Sequence, residues 1–280
     1  MNTCFSPLKF FKALKSHATQ LVMCSILAMP LGSSYGQSTI YSDNSVYFSW
    51  QNSTYWYGYF TSDFGNVYGY SDEEKDRHQI TNGVLGVKLL KDLVGQSGGT
   101  ICDVLIDNGT DYIIKYKVKF ESGFDWKKGG KLPGIGGGQI YAGGQDTSPG
   151  DGWSFRIVWH TYDNINNGQP FLAPYAYYVD QPGVYGDEFS TRYFITDDNW
   201  YDIWIHVKMN TDDNYDGKLQ VKINDSTIYY NATFRWVTQN SGREIDQIMW
   251  DIFRGGDATS DYISSNDCWI YLDDFVIDKQ

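Results

Sequence analysis

The chain has 280 residues, with 22 lysines and arginines against 34 aspartates and glutamates, and its formal net charge is −12. A chain this acidic lacks the basic stripe that phosphate neutralisation requires, and it has no Cys/His spacing typical of zinc sites, which argues against nucleic-acid binding. Aromatic residues make up 17% of the chain. Because aromatic residues favour strands and good helix formers are sparse, the composition predicts an all-β fold.

The N-terminal segment, residues 1–36, is typical of a secretory signal peptide. Three lysines and no acidic residue precede an apolar run at residues 21–32, and small residues follow at Ser34 and Gly36. The apolar run is shorter than the roughly 20 residues that a membrane-spanning helix needs. We therefore expect a secreted or periplasmic protein with no membrane segment after cleavage, and one domain over residues 37–280.

Two cysteines, Cys102 and Cys268, remain after the predicted cleavage. In an oxidising compartment they can form a disulfide that closes a long loop. Two buried free thiols fit the sequence equally well, so the sequence leaves both states open.

Short segments of alternating polar and apolar residues recur along the chain, each bounded by Gly, Asn, Asp or Pro. In chain order these segments are residues 112–120, 152–159, 175–179, 203–209, 219–223, 248–253 and 269–277. A period of two predicts strands with one face in the core and one face in water. Apart from a short helix expected at residues 89–93, no helical period is sustained. We therefore predict a β-jelly-roll sandwich of two antiparallel sheets.

A glycine-dense run at residues 129–138 departs from this pattern and contains a single cation, Lys131. The run lacks both the Gly-Lys-Ser/Thr ending of a phosphate-binding loop and the third glycine of a dinucleotide fingerprint. A flexible surface loop is the simpler interpretation of this run. The functional interpretation is a backbone that allows a ligand to approach Lys131 closely.

Two further segments place polar groups on one face of a strand. Alternation puts Ser154 and Arg156 on the face opposite the surrounding Trp and Phe residues, and Tyr175 and Tyr177 share one face with Ala176 between them. Taken alone, a solvent-exposed arginine explains the first pattern equally well, and packing or sugar stacking is the usual explanation of paired tyrosines on a sheet.

Together these lysine, serine, arginine and tyrosine residues suit the β-elimination of a uronic-acid polymer. The reaction needs a cation for the C6 carboxylate, a base for the C5 proton and an acid for the leaving oxygen at C4. Tyrosine can serve as base or acid, and neighbouring cations are expected to lower its pKa from the ordinary value near 10. This scheme requires no metal and no cofactor.

The order of these motifs resembles polysaccharide lyase family 14. The matching segments are residues 129–134, 152–156, 175–181, 216–223, 253–256 and 270–274. Members of that family are β-jelly-roll lyases that act on alginate or glucuronan, with the active site on the concave sheet.

The resemblance implies a role for each site residue. Lys131 and Arg156 would neutralise the carboxylate, Ser154 would help to hold it, and Tyr175 and Tyr177 would move the protons. The division of labour between the two tyrosines stays open.

This chain departs from the family pattern after Arg156. The segment before Tyr175 is longer than expected, and we interpret residues 163–169 as an enlarged hairpin loop. His160 stands where a basic residue is expected, and a partly exposed structural histidine is the simpler interpretation.

An alternative function is a non-catalytic jelly-roll module that binds acidic polysaccharide through the same residues. A retaining glycosidase is not supported, because no strand supplies two facing carboxylates. In either remaining case the expected partner is an anionic polysaccharide and the chain is expected to be a monomer. Because the chain is acidic, a local cluster of Lys127, Lys128 and Lys131 near Arg156 is needed to attract an anionic substrate.

Overall fold

The computed structural model describes residues 45–48, 67–68, 74 and 76–280, with side chains for residue 74 and for residues 76–280. The predicted signal peptide lies outside the described residues. The strands are β1 (Ser45–Phe48), β2 (Val67–Tyr68), β3 (His78–Thr81), β4 (Val84–Leu89), β5 (Thr100–Gly109), β6 (Asp111–Phe120), β7 (Gly129–Gly138), β8 (Gly152–His160), β9 (Phe171–Tyr177), β10 (Asp187–Glu188), β11 (Tyr193–Phe194), β12 (Trp200–Lys208), β13 (Gly217–Ile223), β14 (Ser226–Phe234), β15 (Ile245–Arg254) and β16 (Cys268–Lys279). One short helix, α1 (Gly95–Gly98), and a 3-10 turn (Asn166–Gly168) complete the regular elements of these residues.

The described strands form two antiparallel sheets of eight strands each. The first sheet has the order β14-β13-β12-β6-β16-β4-β3, and β1 also pairs with β16. The second sheet has the order β10-β9-β8-β7-β15-β5-β2, and β11 also pairs with β9. All of these strands belong to one unit of the chain, Ser34–Gln280. This architecture confirms the predicted all-β jelly-roll sandwich.

The core lies between the two sheets and is filled by alternate residues of their strands. In β12 the side chains of Ile203, Ile205 and Val207 are buried, whereas Trp204 and His206 lie on the outer face. In the second sheet the corresponding core positions of β8 are mostly aromatic. The predicted alternation is therefore confirmed, because burial of one sheet face imposes a period of two on the strand.

Two sequence-based expectations about local structure are wrong. The glycine-dense run is the strand β7 at the centre of the second sheet, between β8 and β15, and not a surface loop. The helix expected at residues 89–93 is absent, and α1 begins only at Gly95. The loop expected at residues 163–169 does connect neighbouring antiparallel strands, β8 and β9, as an enlarged hairpin.

Cys102 and Cys268 are both buried and both free. Cys102 lies in β5 of the second sheet, and Cys268 begins β16 of the first sheet. The structure therefore favours the second of the two states that the sequence left open. No helix among the described residues is long and apolar enough to span a membrane.

Candidate active site

The outer face of the second sheet collects the five residues predicted from the sequence. Strand register places Arg156 beside Tyr175 and Ser154 beside Tyr177, on the neighbouring strands β8 and β9. On the other side of β8, Lys131 of β7 is the register partner of Val158. Val158 lies two residues beyond Arg156, so the two side chains occupy the same face of the sheet, and Lys131 lies on that face as the partner of Val158. The structure thus brings Lys131, Ser154, Arg156, Tyr175 and Tyr177 onto one surface.

A β-bulge in β7 brings Lys131 to this face. Lys131 and Gly134 are three residues apart, so a regular strand would direct them to opposite faces. The pairing of β7 with β8 shifts register between these two residues, and Pro133 lies within the shift. Bulges are positions where a sheet accepts proline and redirects side chains. The bulge therefore allows Lys131 and Gly134 to share the outer face.

Glycine residues of β7 leave room for the arginine of β8. Gly134 is the register partner of Arg156. A Cβ atom at Gly134 would lie 2.7 Å from Arg156 Cγ and would overlap the carbonyl oxygen of Phe155. Without that Cβ, the Arg156 side chain reaches across β7 to β15. The glycine density of this segment is therefore explained by close approach inside a sheet, not by loop flexibility.

On β15, Arg156 meets a carboxylate that the sequence analysis missed. Arg156 Nη1 donates to Asp251 Oδ2 at 2.8 Å, and both side chains are buried. Burial raises the pKa of Asp251, although the positive charge of Arg156 opposes this effect. The sequence signal that could have identified Asp251 was a single acidic residue inside the apolar segment Met249–Ile252 of β15. Arg156 is therefore a fixed cation, and not the solvent-exposed arginine of the simpler interpretation.

Lys131 and Tyr175 are in direct contact on this face. Lys131 Nζ lies 4.0 Å from the centroid of the Tyr175 ring. Burial, together with the positive charge of Arg156, lowers the pKa of Lys131 to about 7, although Asp251 and Glu188 oppose the shift. This shift brings the pKa of Lys131 close to neutral pH, far below the ordinary value for lysine.

The pKa of Tyr175 shifts in the direction opposite to the one expected from its neighbours. Burial and the hydrogen bond with Tyr177 raise it, and these effects outweigh the charge of Arg156. The two hydroxyl oxygens are 3.5 Å apart. The expectation that adjacent cations lower the tyrosine pKa is therefore wrong for Tyr175, which holds its proton at neutral pH.

Tyr177 and Ser154 are more deeply placed than the other site residues. The Tyr177 hydroxyl accepts a hydrogen bond from the Gly144 backbone at 3.1 Å, and Ser154 Oγ donates to the Tyr141 carbonyl at 2.7 Å. Both side chains are almost completely buried. These two hydrogen bonds therefore hold the loop between β7 and β8 against the sheet. The hydroxyl hydrogen of Ser154 is donated to Tyr141.

A second polar group lies beside Lys131 at the end of β8. His160 Nδ1 is hydrogen-bonded to Glu188 Oε2, and the Tyr162 hydroxyl donates to the same carboxylate oxygen at 2.8 Å. Arg192 Nη2 lies 3.5 Å from the other oxygen of Glu188. Burial lowers the pKa of His160, although the bond with Glu188 opposes the shift. His160 is thus a partly exposed histidine that its hydrogen bond to Glu188 holds in place. The sequence analysis did not identify Glu188.

Two lysines expected to strengthen the cationic groove are paired with acids. Lys127 Nζ lies 3.5 Å from Asp125 Oδ2, and Lys128 forms an ion pair with Asp261. Each of these two lysines therefore has its own acidic partner in a partly exposed pair, whereas Arg156 is held by Asp251 in a buried pair at the site. Within the described part of the chain, no group of three His, Cys, Asp or Glu side chains is placed to hold a metal ion.

Comparison with known proteins agrees with this fold. The family described as polysaccharide lyase 14 matches residues 100–275. A variant of the alginate lyase Aly36B, solved in complex with alginate tetrasaccharide, is 35% identical with a TM-score of 0.78, over 85% of this chain and 97% of that chain. The PL-14 alginate lyase from Aplysia kurodai is 22% identical with a TM-score of 0.65, over 87% of this chain and 100% of that chain, a likeness of fold. A comparison with curated proteins finds no match.

Proposed function

Because the chain belongs to polysaccharide lyase family 14, we propose that it cleaves alginate by β-elimination at the outer face of its second sheet. The observation that carries this proposal is the contact of Lys131 with Tyr175 beside the fixed guanidinium of Arg156. Alginate is the ligand of the similar Aly36B variant, in which one lysine and one tyrosine are replaced by alanine. In the present chain, a lysine and a tyrosine, Lys131 and Tyr175, are in contact with each other.

In this proposal Lys131 is the base that removes the C5 proton. Its pKa of about 7 means that a free amine is present at neutral pH, and a catalytic pKa near the working pH is the favourable case for proton transfer. This assignment differs from the role implied by the family resemblance, in which Lys131 neutralises the carboxylate. The shifted pKa is the reason for the change.

Tyr175 is the acid that protonates the leaving oxygen at C4. Its raised pKa keeps the hydroxyl protonated, so it can donate as the C4–O bond breaks and the C4–C5 double bond forms. The proton removed by Lys131 and the proton given by Tyr175 balance the reaction. Tyr177, whose hydroxyl is bonded to Gly144, positions Tyr175.

Arg156 stabilises the negative charge that develops on the C6 carboxylate. Its side chain is held by Asp251 through Nη1 alone, which leaves other guanidinium donors for a substrate oxygen. A preorganised cation in a water-poor site stabilises such charge strongly. Ser154 acts through the loop that it anchors and supports the carboxylate site indirectly.

The proposal includes export and a monomeric state. The signal-peptide pattern of residues 1–36 supports a secreted or periplasmic protein that has no membrane segment after cleavage. A monomer is sufficient because every residue of the proposed site comes from one chain.

The test is the ultraviolet absorbance of the unsaturated product while the mature protein acts on polymannuronate, polyguluronate and glucuronan. We expect absorbance to rise with an alginate block polymer, and Tyr175→Phe to reduce kcat by about 10²–10⁴-fold, the usual contribution of acid–base catalysis. Tyr177→Phe is the matched control and should reduce kcat less than Tyr175→Phe does. A flat trace with retained polymer binding would instead identify a non-catalytic binding module.

A further inference from the structure

The outer face of the first sheet contains a groove, on the opposite side of the sandwich from the proposed active site. Its volume is about 500 Å³, within the usual range of ligand sites, about 300–1,000 Å³. Three aromatic side chains and one cation form much of it. The lining residues are Gln79, Thr81, Asn82, Val84, Gly86, Lys119, Trp200, Trp269 and Tyr271.

The aromatic residues of this groove are not part of the core. In β16 the core positions are Ile270 and Leu272, so Trp269 and Tyr271 lie on the solvent side of the same strand. Trp200, at the start of β12, is 38% exposed. The outer face of an antiparallel sheet is normally polar. Three large aromatic side chains clustered on this outer face therefore indicate a ligand-binding surface.

Lysine side chains lie between these rings. Lys119 is the register partner of both Trp200 and Tyr271, and its Nζ lies 5.5 Å and 5.4 Å from the two ring centroids. Lys88 lies in the same way 5.2 Å from the Trp269 centroid. Lys119 also contacts Asp198 Oδ1 at 3.2 Å, but that carboxylate is mostly exposed. Lys119 therefore has an acidic partner, as Lys127 and Lys128 have, and an exposed pair of this kind is weak enough for a ligand carboxylate to compete for the lysine.

A glycine opens the floor of the groove between the rings. Gly86 is the register partner of Tyr271 on β4. A Cβ atom at this position would lie 3.1 Å from the Trp269 ring and 3.4 Å from the Tyr271 ring. Any side chain at residue 86 would therefore fill the space between the two aromatic surfaces.

We propose that this groove is a second binding site for an acidic polysaccharide, which it holds without cleaving. Sugar rings stack on Trp200, Trp269 and Tyr271, while the carboxylate of a uronate accepts from Lys119. Aromatic rings combine a broad apolar face with specific contact geometry, and Gln79 offers an amide for sugar hydroxyls. That the polymer is a uronate rests on the proposed function.

Charge and chemistry favour this ligand. The lining residues include one cation, Lys119, and no acidic side chain, although Asp198 contacts Lys119 from outside the groove and the chain as a whole carries a net charge of −12. None of the residues that line the groove corresponds to the buried guanidinium of Arg156, on which the proposed elimination depends. A second site of this kind keeps a long polymer near the enzyme and raises its local concentration at the active site.

The experiment measures migration of the protein in native gels that contain alginate, in the Tyr175→Phe background so that the polymer stays intact. We expect the double variant Trp269→Ala/Tyr271→Ala, and separately Lys119→Ala, to weaken retention about tenfold, equivalent to about 1.4 kcal/mol. The matched control is Tyr230→Ala. Tyr230 is an exposed aromatic residue of the same sheet that contacts Lys218 at 5.7 Å but lies outside the groove.

Trp200→Ala provides a further variant that leaves the core untouched, and circular dichroism checks the fold of each protein. In the active protein, the rate on an alginate tetrasaccharide should not change in any groove variant, because a short chain occupies only the active site. Equal retention of the parent and of all groove variants would overturn the second site. Failure of the mature protein without substitutions to form unsaturated product would overturn the proposed reaction. The retention measurement does not depend on that product and would still test the second site.

Discussion

Arg156 and Asp251 form a buried ion pair that spans two strand intervals of the second sheet. Their side chains are 3% and 2% exposed, and Nη1 lies 2.8 Å from Oδ2. The strand between them, β7, carries Gly134 where the arginine crosses. Removing a buried charge from water is costly unless a partner compensates it. The pair and the glycine therefore form one structural unit that fixes the cation of the proposed active site.

The first prediction concerns this pair. Asp251→Ala should lower the free energy of unfolding by about 3–5 kcal/mol, because it leaves the Arg156 charge buried and unpaired. Urea denaturation of the folded protein measures the effect. Asp261→Ala is the control, since it breaks an exposed ion pair with Lys128 and should change the free energy of unfolding little. Equal losses from the two variants would contradict the inferred role of Asp251.

A second prediction concerns the crossing point. Gly134→Ala should destabilise the protein by about 1–3 kcal/mol or more, as overpacking of a tight site does, and should also reduce activity by displacing Arg156. Thermal unfolding and product absorbance measure the two effects. At Gly183 a Cβ atom would have no heavy atom within 4 Å, so Gly183→Ala should leave both unchanged. A stable and fully active Gly134→Ala variant would show that the arginine does not need this space.

A third prediction follows from the pKa of Lys131, about 7. A base acts in its deprotonated form, so kcat/KM should rise as the pH increases through about 7 and then level off. Lys131→Ala should reduce kcat by about 10²–10⁴-fold, and Lys131→Arg should not restore it, because a guanidinium stays protonated. Initial rates across the pH range provide the measurement.

Lys127→Ala is the control for Lys131, because Lys127 is paired with Asp125 and should show the parental profile. Activity that falls as the pH rises through about 7 would instead indicate that protonated Lys131 is the active form. That result would return Lys131 to the carboxylate-neutralising role implied by the family resemblance.

A fourth prediction concerns the two buried thiols. Because Cys102 and Cys268 are free, the melting temperature of the mature protein should be the same with and without a reducing agent. Thiol titration should detect both cysteines only after unfolding. A melting temperature that falls in reducing agent would show that the two residues are joined in solution.

Much of this architecture could be predicted from local sequence. A strand buried on one side alternates with a period of two, so Ile203, Ile205 and Val207 identify their own core face without knowledge of any partner. The same rule placed Ser154 with Arg156, and Tyr175 with Tyr177. Motif order then indicated the family, because several short segments recur in a fixed sequence.

What only the tertiary structure decided depends on which strands are neighbours. In the sequence, the glycines of β7 resemble a loop. In the folded sheet β7 lies between β8 and β15, and a Cβ atom at Gly134 would clash with β8. Asp251 joins the site through the pairing of β15 with β7, which is distant in the chain, and Glu188 joins it through the pairing of β10 with β9. The pKa of Lys131 follows from burial in that assembled surface. Alternation is a property of one strand, whereas register, burial and charge pairing are properties of the folded sheet.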